Sequence, residues 1–226
     1  EGSQASSHGA QCNGGLLGSS GQAVVEQCPW GLLMTDFIDN QGYRANVGIV
    51  LMNDRDQLFL GGRTGGRGWQ FPQGGIRQDE ELLDALYREL AEEVGLERDD
   101  VTVVGSTASW LHYRLPERYV RRGSQPLCIG QKQRWFLLRV VRGDDRFRFD
   151  TTDQPEFERW RWVDYWLPVR EVIYFKRRVY TRALHELGRH AFPRGLPPYP
   201  AWWGSPGEQD PDRAAGNAAR EIGPDG

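Results

Sequence analysis

Residues 74–96 read GGIRQDEELLDALYRELAEEVGL, and the register of acidic and apolar side chains within them decides how the rest of the chain is understood. On a helix, Glu89, Glu92 and Glu93 stand at i, i+3 and i+4, so three carboxylates share one side. They repel one another, and they fall in the last turns, where the helix dipole disfavours negative charge. A hard divalent cation such as Mg²⁺ is the simplest group that offsets both effects. The bland alternative is a solvated acidic face, which most Glu-rich helices carry. Register argues against it. Leu82, Leu86, Glu89 and Glu93 form a single stripe at roughly 100° per residue, so the carboxylates continue the line of leucines. Leu83, Leu90 and Val94 add a second apolar line that widens the covered face. Asp79 is placed to cap the helix, Glu80 and Glu81 suit its first turn, and Gly95 suits its end. Two glutamates turned toward a core are costly unless they bind something.

Outward from this helix, residues 45–52 (ANVGIVLM) read as a buried strand, and 57–61 as a second strand after an Asn-Asp-Arg-Asp turn. A glycine-rich loop, GGRTGGRG, leads into WQFPQGG and the helix. Further strands are expected over 101–110, 133–141 and 160–163, and a last helix over 168–187, with Pro168 in its first turn. Strands on both sides of one helix, with a second helix closing the domain, imply an α/β fold with a mixed sheet covered on both faces. In the last helix Val172, Val179, Ala183 and Leu187, flanked by Ile173, Tyr180 and Leu184, define the buried face. Lys176 falls inside that arc, while Arg177, Arg178 and Arg182 fall outside it. A lysine so placed usually snorkels to the nearest edge; the sharper reading is an ammonium reaching a phosphate or a base edge. Phe175 sits at the rim, where an aromatic ring either packs on the core or stacks on a nucleobase.

The segment Gly74, Glu80 and Arg88-Glu89-Leu90-Ala91-Glu92-Glu93-Val94-Gly95-Leu96 resembles the Nudix box at every defined position. The resemblance implies the Nudix fold, an α/β/α sandwich with a catalytic loop-helix-loop whose glutamates hold divalent metal, Mg²⁺ or Mn²⁺, that activates water against a diphosphate linkage. It implies a structural role for Gly74, Glu80, Arg88 and Gly95, with Arg88 holding the glutamates through charge-assisted hydrogen bonds; spacing alone equally allows a surface pair with Glu92. Across residues 36–190 the likeness narrows to bacterial RNA 5′ pyrophosphohydrolases and related dinucleoside polyphosphate hydrolases, carried by GYRANVGIV, WQFPQGGI, GQKQRWFLL, PEFERWRWV and YWLPVREVIYFKRRVY. Such enzymes remove pyrophosphate from triphosphorylated RNA and leave a monophosphorylated end that promotes mRNA decay; some relatives prefer diadenosine polyphosphates.

Carried over by residue, Glu89, Glu92 and Glu93 are catalytic and metal-ligating, with Glu93 or Glu92 the favoured base. Glu156 is a further acidic ligand, and Gly74 offers a backbone carbonyl to metal. Arg44 and Arg63 are phosphate-binding, and Tyr113, Phe175 and Lys176 form the pocket for the RNA end. Without the resemblance, Arg44 reads as a strand-edge salt bridge. Gly68 departs from the pattern, lacking the hydroxyl often found before the tryptophan, so the backbone NH groups of that loop are left to contact phosphate. The expected substrate is 5′-triphosphorylated RNA or a nucleoside polyphosphate. A ligand sensor of the same fold would be expected to lack box glutamates, and all are present.

Composition bounds the rest. The 226 residues suffice for one substantial domain with tails, and 38% hydrophobic content with nine Trp supports a packed core. The formal charge of −3 divides unevenly: residues 34–190 carry 25 Lys+Arg and 24 Asp+Glu, net +1. That is no broad basic surface, so recognition of one charged end is favoured over tight binding along a phosphate backbone. No apolar run approaches the roughly 18 residues of a membrane span, and Cys12, Cys28 and Cys128 form no metal-spaced or redox pair, which suits a reducing, cytoplasmic setting. Residues 1–33, rich in Gly, Ser, Gln and Ala, are expected to be a disordered extension before a true start at Met34, followed by a hydrolase domain over 34–190 and a flexible tail over 191–226. The sequence leaves any activating protein partner open. His112 lies near the expected pocket, but no serine elbow accompanies it, so the sequence makes no case for a Ser/His/Asp mechanism.

Overall fold

The computed structural model describes residues 37–123 and 125–203. The expected extension over 1–33, its start at Met34, and the tail beyond 203 lie outside the described residues. The centre of the fold is β1 (Tyr43–Met52), buried along its whole length after Tyr43. Its side chains alternate between two cores: Val47, Ile49 and Leu51 face one, Val50 and Met52 the other. A strand buried on both faces requires a continuous apolar run, which is what ANVGIVLM supplies.

β7 (Gly130–Val140) lies parallel to β1, in register from Tyr43 opposite Gly130 to Met52 opposite Arg139. β1 also pairs antiparallel with β2 (Leu58–Arg63) through Met52, and with β4 (Gln73–Gly75) through Asn46, Val47 and Gly48. β2 in turn pairs antiparallel with β3 (Trp69–Gln70) and β8 (Phe157–Val163), and β7 with β5 (Val101–Ser106) and β6 (Leu111–Arg114). The result is a mixed eight-stranded sheet. Ala85, Leu86, Leu90 and Val94 of α1 (Leu82–Val94) pack on one face. Val169 of α2 (Leu167–Glu171) and Val179, Tyr180, Ala183, Leu184 and Leu187 of α3 (Arg177–Ala191) pack on the other. This is the α/β/α sandwich the sequence implies.

Four local expectations are corrected. The strand expected over 101–110 is two strands, because the Thr107 hydroxyl accepts the Trp135 amide at 3.1 Å and the following residues leave the ladder. The last helix is broken: Val172 is extended, a 3₁₀ turn spans Tyr174–Lys176, and α3 starts at Arg177. The adjacent β-branched pair Val172-Ile173 disfavours helix, and an apolar stripe that continues across a break conceals it. Asp79 does not cap α1; it is left-handed at φ 62°, and Glu81 occupies the cap position with no side-chain cap bond. Leu83 is 47% exposed although Leu90 and Val94 on its line are fully buried, so that second stripe is covered only after the first turn. Gly95 does end α1, left-handed at φ 70° with its N–H on the Ala91 carbonyl.

The tail expected from 191 does not begin there. α3 runs to Ala191, the Trp166 indole donates to the Pro197 carbonyl at 2.9 Å, Tyr199 stacks on Trp166, and Trp203 is 3% exposed. The aromatic residues spaced along this Pro-rich stretch give it a small core of its own against α2 and α3.

Candidate active site

The site lies at the end of the sheet where β1 and β7 start and β2 ends. From the α1 side, Arg88 organises the acidic residues. Its guanidinium forks Glu80, with Nε to Oε1 at 2.7 Å and Nη2 to Oε2 at 2.8 Å. Nη1 donates to Glu89 at 2.6 Å and to Glu92 at 3.2 Å, and Nη2 also reaches the Gly75 carbonyl at 2.8 Å. One planar cation thus ties the helix to the loop before it and spans three carboxylates. The Arg88 hydrogen bonds hold the Glu80 carboxyl below its usual range.

Glu89 points under the sheet end and is 8% exposed. A Cβ at residue 74 would fall on the Glu89 carboxylate, so Gly74 is what leaves it room. Burial pushes the Glu89 carboxyl up to about 7 against the pull of Arg88, and the Glu92 charge adds to the rise. Glu93 is part-buried, and its Oε2 accepts the Gln73 amide at 2.8 Å. Desolvation, then the charges of Glu89 and Glu156, push its carboxyl well above the usual carboxylate range. Glu92 points further out, its side chain 40% exposed with Arg77 at 3.5 Å.

Glu156 precedes β8 and accepts from Arg63 Nε at 2.7 Å and Gln70 Nε2 at 2.9 Å. The glycine-rich loop is fastened to the same segment: the Thr64 amide donates to the Glu156 carbonyl at 2.9 Å, and the Thr64 hydroxyl donates to the Pro155 carbonyl at 2.7 Å. Gly65, Gly66 and Gly68 all take positive φ there, a shape closed to most side chains. Arg44, on β1, is 6% exposed, and its charge acts on both Glu89 and Lys176.

From the α3 side, Lys176 is fully buried rather than snorkelling. Its ammonium donates to Gln73 Oε1 at 3.1 Å and Gln70 Oε1 at 3.4 Å, and lies 5.7 Å from the centre of the Tyr113 ring. Burial, then the nearby Arg63 charge, bring it down to about 7, with Glu156 and Glu93 opposing. Tyr113 donates to Gln131 at 2.7 Å, burial raises its hydroxyl well above the ordinary value, and its ring stands 5.9 Å from that of part-buried Phe175.

Sequence reasoning missed the amides that build this cradle. Gln70, Gln73, Gln131, Gln133 and Asn46 are all buried. Gln133 donates to Asn46 at 2.9 Å and to Gln73 at 3.4 Å, while its own buried Oε1 meets no hydrogen-bond donor. A signal was present in GQKQ: two glutamines two apart on a strand share one face, here the face covered at the sheet end.

As placed, no group of three or more His, Cys, Asp or Glu among the described residues is gathered to hold a metal ion; protein donors take the carboxylates instead. The donor set still fits a hard divalent cation. Buried Glu89 and part-buried Glu93 stand close enough that the charge of Glu89 raises the proton affinity of Glu93, hard oxygen donors suit such ions, and Gly74 leaves the space that the Glu89 carboxylate occupies.

The family model described as the NUDIX domain matches residues 42–184, and the chain belongs to that family. Its relatives include an RNA pyrophosphohydrolase of Thioalkalivibrio sulfidiphilus, 58% identical over 160 residues, an alignment covering 71% of this chain and 92% of the relative. An RNA pyrophosphohydrolase of Pseudomonas putida is 61% identical over 150 residues, covering 66% and 94%. Another, of Methylococcus capsulatus, is 52% identical over 185 residues, covering 82% and 92%. Among solved structures, a C. elegans Ap4A hydrolase is 14% identical at TM-score 0.44, covering 61% of this chain and 93% of its own; likeness at that level carries no argument about substrate. No described helix is long and apolar enough to cross a membrane.

Proposed function

We propose that this protein removes pyrophosphate from the 5′ end of triphosphorylated RNA and leaves 5′-monophosphate RNA, the form from which mRNA decay proceeds. The observation that carries the reading is a juxtaposition. A carboxylate pair, buried Glu89 and part-buried Glu93, shares one end of the sheet with three enclosed cations, Arg44, Arg63 and Lys176. A 5′-polyphosphate needs both: cations for its oxygens, and carboxylates for a metal and a water. Near-complete coverage of relatives named RNA pyrophosphohydrolase supports RNA as the substrate.

Glu89, Glu93, Glu92 and Glu156 are the side chains that would hold divalent metal, with the Gly74 carbonyl beside them; Mg²⁺ is the proposed ion and Mn²⁺ its substitute. When bound, the ion neutralises phosphate oxygens and lowers the pKa of a water. Glu93 is the proposed base, because its surroundings raise its affinity for the proton that the attacking water must lose. Its hydrogen bond from the Gln73 amide fixes its orientation. Water oxygen bonds to phosphorus, the bridge between the first and second phosphates breaks, and pyrophosphate leaves. Arg44, Arg63 and Lys176 contact the phosphates, and Tyr113 and Phe175 wall the space for the first bases. Arg88 holds the glutamates and takes no part in proton transfer.

The test is purified protein with Mg²⁺ and a 5′-triphosphorylated oligoribonucleotide, with diadenosine tetraphosphate in parallel. Expected products are pyrophosphate and 5′-monophosphate RNA, formed faster than any product from the dinucleotide. Metal-independent release, or a preference for diadenosine tetraphosphate, would overturn the reading.

A further inference from the structure

The loop between β6 and β7 carries a feature that the pyrophosphate chemistry does not use. From Arg114 to Ile129 the chain holds four arginines, Arg114, Arg118, Arg121 and Arg122, against a single acidic residue, Glu117. This local excess stands out in a domain whose charge is nearly balanced. The loop does not lie apart from the site. Tyr119 packs 5.3 Å from the Phe175 ring, and Tyr174 stands edge-on to Phe175 at 5.4 Å. The Arg118 guanidinium lies 5.0 Å from the Tyr119 ring centre and 5.7 Å from that of Tyr174, and donates to the Tyr174 hydroxyl at 3.3 Å. Tyr174 is 52% exposed although it is a large aromatic, and Arg118 and Arg122 are also exposed.

These residues form a continuous line. It starts at Tyr113 and Lys176 inside the pocket, passes Phe175 at the rim, continues over Tyr119 and Tyr174, and ends on the arginines of the loop. Aromatic faces interleaved with guanidinium groups, leading out of a phosphate pocket, are what a single strand of nucleic acid requires: rings for the bases and cations for the backbone. The surface pair of Arg122 with Glu117, at 3.8 Å between fully solvated side chains, is too weak to account for the arrangement.

We propose that this line is a track for the body of the substrate RNA: nucleotides beyond those in the pocket run over Tyr174 and Tyr119, with their phosphates on Arg118, Arg121 and Arg122. The proposal rests on the reading of the site given above. It makes the enzyme sensitive to RNA length through interactions remote from the reacting phosphates. A dinucleotide ends before the track; an octanucleotide occupies it. Because these interactions are few and exposed, the track adds modest affinity and leaves turnover at saturation unchanged.

The test compares triphosphorylated oligomers of two and of eight nucleotides, using the parent protein, Tyr174→Ala, and Arg118→Ala combined with Arg122→Ala. All three side chains are exposed, so the fold survives, and a charge-reversed pair, Arg118→Glu with Arg122→Glu, gives a stronger perturbation. The parent is expected to favour the octamer. Each variant is expected to lower kcat/KM for the octamer by about tenfold, through KM, while changing the dinucleotide by less than about twofold. In the arginine variants the salt dependence on the octamer should also flatten, by about 0.7 in log–log slope for each RNA phosphate that no longer meets a cation. Equal losses on both lengths, or none on the octamer with charge reversed, would overturn the track and leave the site's chemistry standing. Failure of the parent to release pyrophosphate from either oligomer would overturn both.

Discussion

The two faces of the sheet enclose charge at the same site by opposite means. On the α1 face the carboxylates are met by a full counter-ion: Arg88 forks Glu80 and bonds Glu89 and Glu92. On the α3 face Lys176 is buried at least as deeply, yet its ammonium is met by the amide oxygens of Gln70 and Gln73. A dipole compensates a buried cation less completely than a carboxylate does. The acidic side is therefore held by direct charge-assisted bonds, while Lys176 on the basic side is held by amide dipoles, with the charges of Glu156 and Glu93 acting on it. We propose that a phosphate entering between them draws on Lys176 beside the Arg63–Glu156 pair, so that one pocket accepts both a cation and a polyanion.

The sharpest break of this comparison is at the base. Glu93→Gln is expected to lower turnover by roughly 10²–10⁴ while the melting temperature stays at or above the parent's, since a crowded carboxylate has been removed. Turnover near normal would remove Glu93 from its role. Next in size is Arg88→Met. It leaves Glu80 and Glu89 without their counter-ion inside the protein and should cost roughly 3 kcal/mol in denaturant unfolding. Lys176→Met should do the reverse. We expect stability unchanged or raised and kcat/KM on triphosphorylated RNA lowered by about 10². If Lys176→Met unfolds the protein as Arg88→Met does, the asymmetry between the faces is wrong.

A smaller effect sharpens the same contrast through pH, in protein stripped of metal. Glu89 stands at about 7 when folded against an ordinary 4.5. The fold favours its protonated form, so the associated stability is present below about pH 4.5 and lost as pH rises through 7. Lys176 is brought from 10.5 down to about 7. The fold favours its neutral form, so the associated stability is present above 10.5 and lost as pH falls through 7. Metal-free protein should therefore melt lowest near pH 7. Glu89→Gln combined with Glu93→Gln, the two raised carboxyls, should flatten the limb below 7, and Lys176→Met the limb above it. Limbs that survive these changes would contradict the assignment.

How much of this was legible in the sequence follows the same division. α1 is one contiguous segment, so its spacing alone shows that Glu89 continues the leucine stripe, and the structure buries it there. The all-apolar run of β1 likewise announced a strand covered on both faces. The α3 side is assembled from β3, β4, β7 and the turn before α3, and no local pattern reports that Gln70 and Gln73 meet at Lys176 with Gln133 bonded to Gln73. The same turn was misread for a related reason: the apolar face runs unbroken from Val172 to Leu187 while the backbone does not. Asp79 failed as a cap because Arg88 drew Glu80 into a tertiary bond, and local propensity does not anticipate that competition. Residues 191–203 look like linker by composition, and only the meeting of Trp166, Tyr199 and Trp203 in space makes them part of the domain.

The central claim is that the inward-turned glutamates of α1 take a divalent cation from solution, and Mn²⁺ binding followed by electron paramagnetic resonance tests it without any substrate. The parent protein is expected to bind Mn²⁺ at this site, Mg²⁺ to compete for it, and Glu89→Gln or Glu93→Gln to weaken binding by at least about tenfold. Binding of equal strength in all three proteins, or none in the parent, would contradict the account.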